Sequence, residues 1–251
     1  MNNYDKIKTT FERTEVFFYN PLTLAIYFMQ KNFKYLGTIS VVFVSVLLIS
    51  NVVSTKIVDL KWFTFDGGTL LFPLSYILGD ILTEVYGYKR SKKVIWLGFF
   101  MALLMAIVFI VVGTLPSSPE WGNQNAYDLI LGLTPRIVIA SLFAYSLGGF
   151  SNSYILAKMK IWTKGKMLWA RTIGSTVVGE FIDSTIFILI AFWGIFPNST
   201  LLVLIISNYI FKTAVEILFT PLTYKIIKFL KDKEGEDFYD NETNFNPFIK
   251  D

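Results

Sequence analysis

Five ionisable side chains stand inside long apolar stretches of this chain. Asp80 lies in FPLSYILGDILTEVYGYKR, Glu180 and Asp183 in STVVGEFIDSTIFILIAFWGIF, and Lys212 and Glu216 in LLVLIISNYIFKTAVEILFTPL. An ionised group at the centre of a bilayer costs about 2.5–3.5 kcal/mol on insertion scales. Five left unpaired would cost on the order of 12–17 kcal/mol, comparable with the whole stability of a domain. Such residues persist by pairing, by facing a polar cavity, or by acting on a ligand or a proton.

Their spacing groups them. Tyr76, Asp80 and Glu84 recur at i, i+4, i+8 and share one helix face, with Phe72 and Pro73 one to two turns further out. Glu84 is close enough to the interface to snorkel to water. Glu180, Asp183, Ser184 and Phe187 share a second face, which Ser175 and Thr176 extend. Two carboxylates a turn apart in low dielectric do not both carry charge easily. That suits proton binding or a hydrogen-bonded ligand; a Lys or Arg on another helix is the plainer partner. Asn208, Lys212 and Glu216 form a third ladder, in which an intrahelical Lys212–Glu216 pair is expected. Asn51, Asn152 and Asn208 each follow a serine. Their amides offer donor and acceptor together, as interhelical glue or for recognition of a base.

Six segments must position these groups: Leu36–Thr55, Gly68–Tyr86, Val94–Gly113, Arg136–Met159, Thr172–Phe196 and Leu201–Ile226. The second is short and contains Pro73, so a broken or re-entrant helix is an alternative there. The 251 residues are 53% hydrophobic and 17% aromatic, with a mean hydropathy of +0.51, as in a polytopic membrane protein. The polar start MNNYDKIKTTFERTE reads as carrying no cleavable signal. Lys and Arg cluster before the first segment, after the second (Lys89, Arg90, Lys92, Lys93), after the fourth (Lys158, Lys160, Lys164, Lys166, Arg171) and in the tail. By the positive-inside rule both termini are expected in the cytoplasm. Trp96, Trp162 and Trp169 then anchor the inner interface, and Trp62, Trp121 and Trp193 the outer one. The expected organisation is a cytoplasmic segment over 1–35, with an amphipathic helix on LTLAIYFMQKNFK, a six-helix domain over 36–226 and a cytoplasmic tail over 227–251. The tail reads as disordered or docked. SNVVSTK (50–56) resembles SNSYILAK (151–158), and GDILTE (79–84) resembles GEFID (179–183), a pattern that a 3+3 inverted repeat would produce.

Absences narrow the chemistry. The chain has no Cys and no His, so thiol nucleophiles, Ser-His triads and Cys/His zinc sites are excluded. It has no GxxxxGK[ST] phosphate loop. A carboxylate-based membrane enzyme is not excluded. No metal, cofactor or nucleic-acid partner is expected.

In order and spacing, Ser50-Asn51, FPLSYILGDILTEVYGYKRSKKVIWLGF (72–99), TPRIVIASLFAYSLG (134–148), RTIGSTVVGEFIDSTIFILIAFWG (171–194) and NYIFKTAVEILFTP (208–221) together resemble the YhhQ-type queuosine precursor transporters of the vitamin uptake transporter family. The resemblance covers Leu36 to Lys228. It implies six spans and uptake of 7-deazaguanine bases, 7-cyano-7-deazaguanine and 7-aminomethyl-7-deazaguanine, for tRNA modification. Asn51, Phe72, Pro73, Asp80, Arg136, Ser175, Asp183 and Lys212 fall on the family's recurring positions. Glu84 and Glu180 stand where other members carry different polar residues, and Gly149 and Asn152 where many carry Gln and Asp.

A guanine-like edge presents an N1–H beside an exocyclic NH2, which one carboxylate can accept together. The expected base site is therefore Asp80 and Asp183 with Asn51, Lys212 and Asn208 as polar partners, and Phe72, Tyr76 and Phe187 as aromatic walls. Glu180, Glu216 and Glu84 are candidates for proton coupling. A homodimer and a separate energising module, as in energy-coupling-factor importers, stay open.

Overall fold

The computed structural model describes residues 33–61, 63–241 and 243–246. The chain divides into Met1–Lys34 and Tyr35–Asp251, and the second unit carries everything below. The expected interfacial helix falls almost wholly outside the described residues, as does Trp62. The elements run α1 (Leu36–Val53), β1 (Ile57–Asp59), β2 (Thr64–Asp66), a 3-10 turn (Gly67–Leu70), α2 (Phe72–Tyr86), α3 (Tyr88–Thr114), α4 (Gln124–Ile130), α5 (Thr134–Trp162), α6 (Leu168–Phe192) and α7 (Asn198–Glu234). This is an all-α polytopic bundle. Five of its helices, α1, α3, α5 (with α4 ahead of it), α6 and α7, are long and apolar enough to cross a membrane.

The second expected span is broken. Helix α2 has 15 residues, about 22 Å at 1.5 Å per residue, short of a hydrocarbon core of about 30 Å. The preceding 3-10 turn adds about 8 Å. The break falls where Pro73 occupies the first turn of α2; its missing N–H is an orphan there in any case. Irregular backbone at membrane depth needs protein around it, and α2 has it. Thirteen of its residues are buried, under α1, α3, α5 and α7. The β-hairpin, paired Ile57↔Asp66, Val58↔Phe65 and Asp59↔Thr64, was not foreseen; it leads the chain from α1 back to the turn.

A single residue separates α2 from α3. Gly87 has φ +86°, and a Cβ there would also meet the Phe238 ring at 2.2 Å, so glycine is required twice over. Helices α5 and α6 pack along most of their length. At their crossing a methyl on Gly148 would lie 2.6 Å from the Gly179 carbonyl oxygen and 2.7 Å from Asp183 Cβ. Small residues at such a crossing let two backbones approach closely. The apolar core joins α5, α6 and α7 through Ile137, Ala140, Phe187, Ile188, Phe192 and Leu204. Outward-facing Leu97, Phe100, Leu103, Ile107 and Val108 leave an apolar face on α3, which lipid, not water, can cover.

Candidate substrate and ion site

Buried polar groups form four tiers along the bundle, each held by a different step of the α2 and α7 ladders.

At the hairpin end Asp66 is a hub. It caps the 3-10 turn by accepting from the Gly68 N–H at 3.0 Å. It also accepts from Ser54 Oγ at 2.6 Å, Thr69 Oγ1 at 2.7 Å and Asn208 Nδ2 at 2.9 Å. Four donors fill the acceptor capacity of one ionised carboxylate. Asp66 and Thr69 were missed by sequence reasoning; the only local signal is an Asp ahead of Gly-Gly, a turn signature.

In the second tier Lys212 Nζ lies 2.7 Å from Asp183 Oδ2 and 3.5 Å from Glu180 Oε2. It also sits 4.4 Å from the centroid of the Phe72 ring, a cation–π contact. The expected Lys212–Glu216 pair is thereby corrected. The two share a face of α7, but the lysine reaches across to α6, while Glu216 stands against Asp80 of α2. Periodicity fixes a face; it does not fix which helix lies opposite. Tyr76 packs edge-on to Tyr145 at 5.2 Å, with its hydroxyl close to Asp183. Several buried acceptors here lack a hydrogen-bond donor among the described residues: Asp183 Oδ1, both Glu180 oxygens, and the Oδ1 of Asn51.

A small polar cavity opens beside this tier. Asn51 from α1, Asp66 and Thr69 from the hairpin end, Phe72 from α2, Phe187 from α6 and Lys212 line it, with Ser141 of α5 closing one side. Asn51 spends its Nδ2 on the Leu47 carbonyl at 2.7 Å, which leaves the oxygen free for a ligand. The cavity holds about one water molecule. A bicyclic base therefore needs the surrounding helices to part.

One turn deeper, Asn152 Nδ2 donates to Asp80 Oδ1 at 2.6 Å, and the Asp80 and Glu216 carboxyl groups lie within hydrogen-bond reach of each other. Asp80 Oδ2, Asn152 Oδ1, Thr176 Oγ1 and Glu216 Oε2 have no hydrogen-bond partner of fixed geometry among the described residues.

At the tail end Glu84 is saturated. It meets Arg171 Nη1 at 2.5 Å, Lys231 at 2.7 Å and Lys160 at 3.4 Å, and Lys160 also donates to its backbone carbonyl at 2.8 Å. Snorkelling to water is thus corrected: Glu84 is 1% exposed. The tail docks over it. Asp237 accepts from Lys160 at 2.7 Å and pairs with Lys231 at 2.9 Å. Burial pushes that carboxyl up, but these two hydrogen-bonded cations outweigh it and hold Asp237 below the usual carboxylate range. Asp240 caps α3 by accepting from the Tyr88 N–H. Arg136, one of the resemblance positions, donates to the carbonyls of Ile190 and Trp193 and closes the end of α6.

Of the expected site residues, Asn51, Phe72, Tyr76, Phe187, Asp183, Lys212 and Glu180 therefore come together. Asn208 belongs to the Asp66 hub, Asp80 and Glu216 to the deeper pair, and Glu84 to the ion cluster.

Residues 66–226 match the model of a family described as "Putative vitamin uptake transporter". The chain is 31% identical over 188 residues to the "Probable queuosine precursor transporter" of Bacillus subtilis, covering 74% of this chain and 81% of that one. It is 22% identical over 205 residues to the "Queuosine precursor transporter" of Escherichia coli, covering 80% and 90%. A "Probable queuosine precursor transporter" of Haemophilus influenzae is 27% identical over 129 residues, about half of each chain. No solved structure matches.

Proposed function

We propose that this chain, which belongs to the vitamin uptake transporter family, imports queuosine precursors of the 7-deazaguanine class across the cytoplasmic membrane. The observation that carries the reading is the Asp183–Lys212 pair beside the polar cavity. A deazaguanine edge needs an acceptor for its N1–H and NH2 and a donor for its O6. Asp183 supplies the first, with one oxygen uncommitted. Lys212 supplies the second, and it stands 2.7 Å from Asp183 Oδ2. Phe72 and Phe187 line the cavity from opposite helices and stack on a flat ring, an interaction worth about 1–3 kcal/mol per base. The Asn51 oxygen accepts a further ring N–H. Without its base, this tier is a buried polar set with more acceptors than donors, which a donor-rich edge relieves.

Both termini lie in the cytoplasm on this reading. The clustering of Lys and Arg at the Glu84 end supports it. The chain works without a separate energising module.

Two measurements test the proposal. A thermal-shift panel in detergent compares 7-cyano-7-deazaguanine, 7-aminomethyl-7-deazaguanine, queuine and guanine. A ligand at a hundredfold excess over its Kd stabilises by about 2.7 kcal/mol, and the deazaguanines should shift Tm most. Purified chain in liposomes without ATP should then take up the stabilising base chemically unchanged. No shift with any deazaguanine overturns the site, and uptake only with an added ATPase overturns autonomous transport.

A further inference from the structure

The Asp80–Glu216 pair has the geometry of a proton site. Both side chains are buried, with Asp80 0% and Glu216 2% exposed, and they belong to different helices, α2 and α7. Their carboxyl groups are within hydrogen-bond reach of each other. Two carboxylates are acceptors only, so the contact holds only if one of them carries a proton to donate.

The donors around the pair do not replace that proton. Asn152 satisfies one oxygen of Asp80, and Thr176 has one hydroxyl hydrogen to offer. The titratable and charged groups acting on the pair are Glu84 on α2, Tyr145 on α5, and Arg171 and Glu180 on α6, with Tyr76, Asp183 and Lys212 in the neighbouring tier. Arg171 is bonded to Glu84 and Lys212 to Asp183. The tyrosine hydroxyls bear no positive charge. Lys212 contacts Asp183 and Glu180, and among the described residues no ion pair reaches Asp80 or Glu216.

We propose that Asp80 and Glu216 hold one exchangeable proton and that the chain is a proton–base symporter, in which that proton crosses with each 7-deazaguanine. The inference rests on the transport reading above and adds its driving force. The pair spans the seam between α2 and α7, so its protonation decides whether those helices can close on each other. With the proton in place a hydrogen bond joins them. Without it two like charges in low dielectric push them apart. Glu180 links the pair to the base site, because it lies beside Asp80 and Glu216 and 3.5 Å from the lysine that holds Asp183. The proton enters from the outer solution with the base and leaves to the cytoplasm with it. No bond of the base changes.

The test uses purified full-length chain in liposomes with the membrane potential clamped at zero by potassium and valinomycin. A pH gradient of one unit, acid outside, should drive 7-cyano-7-deazaguanine to about a tenfold internal excess for one-to-one coupling. A protonophore should abolish that excess. Base added without a gradient should alkalinise the external medium, read by a trapped-dye and external-electrode pair. E216Q should lose the gradient-driven excess while base-for-base exchange persists, and D80N should do the same if α2 carries half of the site. Should E216Q fail to fold, the wild-type dye signal alone decides. Wild-type uptake that only equilibrates, indifferent to the gradient and moving no protons, overturns symport and leaves transport intact. Wild-type chain that takes up no base overturns the transport reading itself, and symport with it.

Discussion

Glu84 and Glu216 are both buried glutamates, and each faces α2 or lies on it, yet their surroundings are opposites. Glu84 meets three cations and is bonded on both oxygens. Glu216 meets carboxylates, and one of its oxygens has no donor. The same residue type therefore serves two ends. Where donors match acceptors the cluster locks helices together; where acceptors exceed donors the cluster is left to bind something.

Substitutions should separate the two tiers. The largest effect is expected at Glu84. E84L leaves Arg171 without its anion and Lys160 and Lys231 with only the half-exposed Asp237, and removing one partner of a buried ion cluster costs about 3–5 kcal/mol. The Tm in detergent should fall steeply; an unchanged Tm would mean that the cluster holds nothing. Next comes D183N, which removes the carboxyl oxygen paired with Lys212 and the acceptor proposed for the base. Charged hydrogen bonds are worth about 1.5–3 kcal/mol, so deazaguanine affinity should drop by roughly tenfold to more than a hundredfold in a binding titration. Retained affinity at wild-type abundance would sink Asp183 as the base acceptor.

G148A is expected to be intermediate. Its methyl meets the Gly179 carbonyl and Asp183 Cβ, and overpacking of this kind costs about 1–3 kcal/mol; both Tm and base affinity should fall. E216Q should cost about 1 kcal/mol or less, since an amide replaces a carboxyl that already shares a proton. A drop as large as that of E84L would erase the distinction between the tiers.

The smallest effect is pH-driven. Asp237 sits below its ordinary value of 3.8 when docked. Its contribution is therefore complete above that value and is lost as pH falls through the lower, folded one. Hydrogen exchange at residues 237–246 should stay slow from about pH 6 to about pH 4 and rise only at more acid pH. Release near neutral pH would contradict the ion pairing to Lys160 and Lys231.

Much of this was legible in the sequence. The apolar segments and the i, i+4, i+8 ladders follow from period and composition, and the grouping of Asn51, Asp183 and Lys212 from the family resemblance. Proline 73 marked the weak second span, and the break appears there. What was illegible depends on neighbours that are distant in sequence. Lys212 chose α6 over its own helix. Glu84 found cations contributed by α5, α6 and α7, which no local pattern announces. Asp66 looked like a loop residue and became a hub because Ser54 and Asn208 arrive from α1 and α7. The tail was read between disorder and docking, and its aromatics decided it: Phe245 packs on Tyr88 and Tyr154.

The Gly148–Gly179 crossing has a mechanical consequence. Two backbones that touch cannot slide past one another without breaking contact, so α5 and α6 form a stiff plank that carries Asp183 with it. Any rocking that exposes the site first to one side of the membrane and then to the other must pivot elsewhere, along the seams of α2 and α7. The Asp66 hub ties the hairpin end to α1 and α7, the Asp80–Glu216 pair bridges α2 and α7, and the Glu84 cluster ties α2 to α5, α6 and α7, so such a pivot must release polar contacts at three heights.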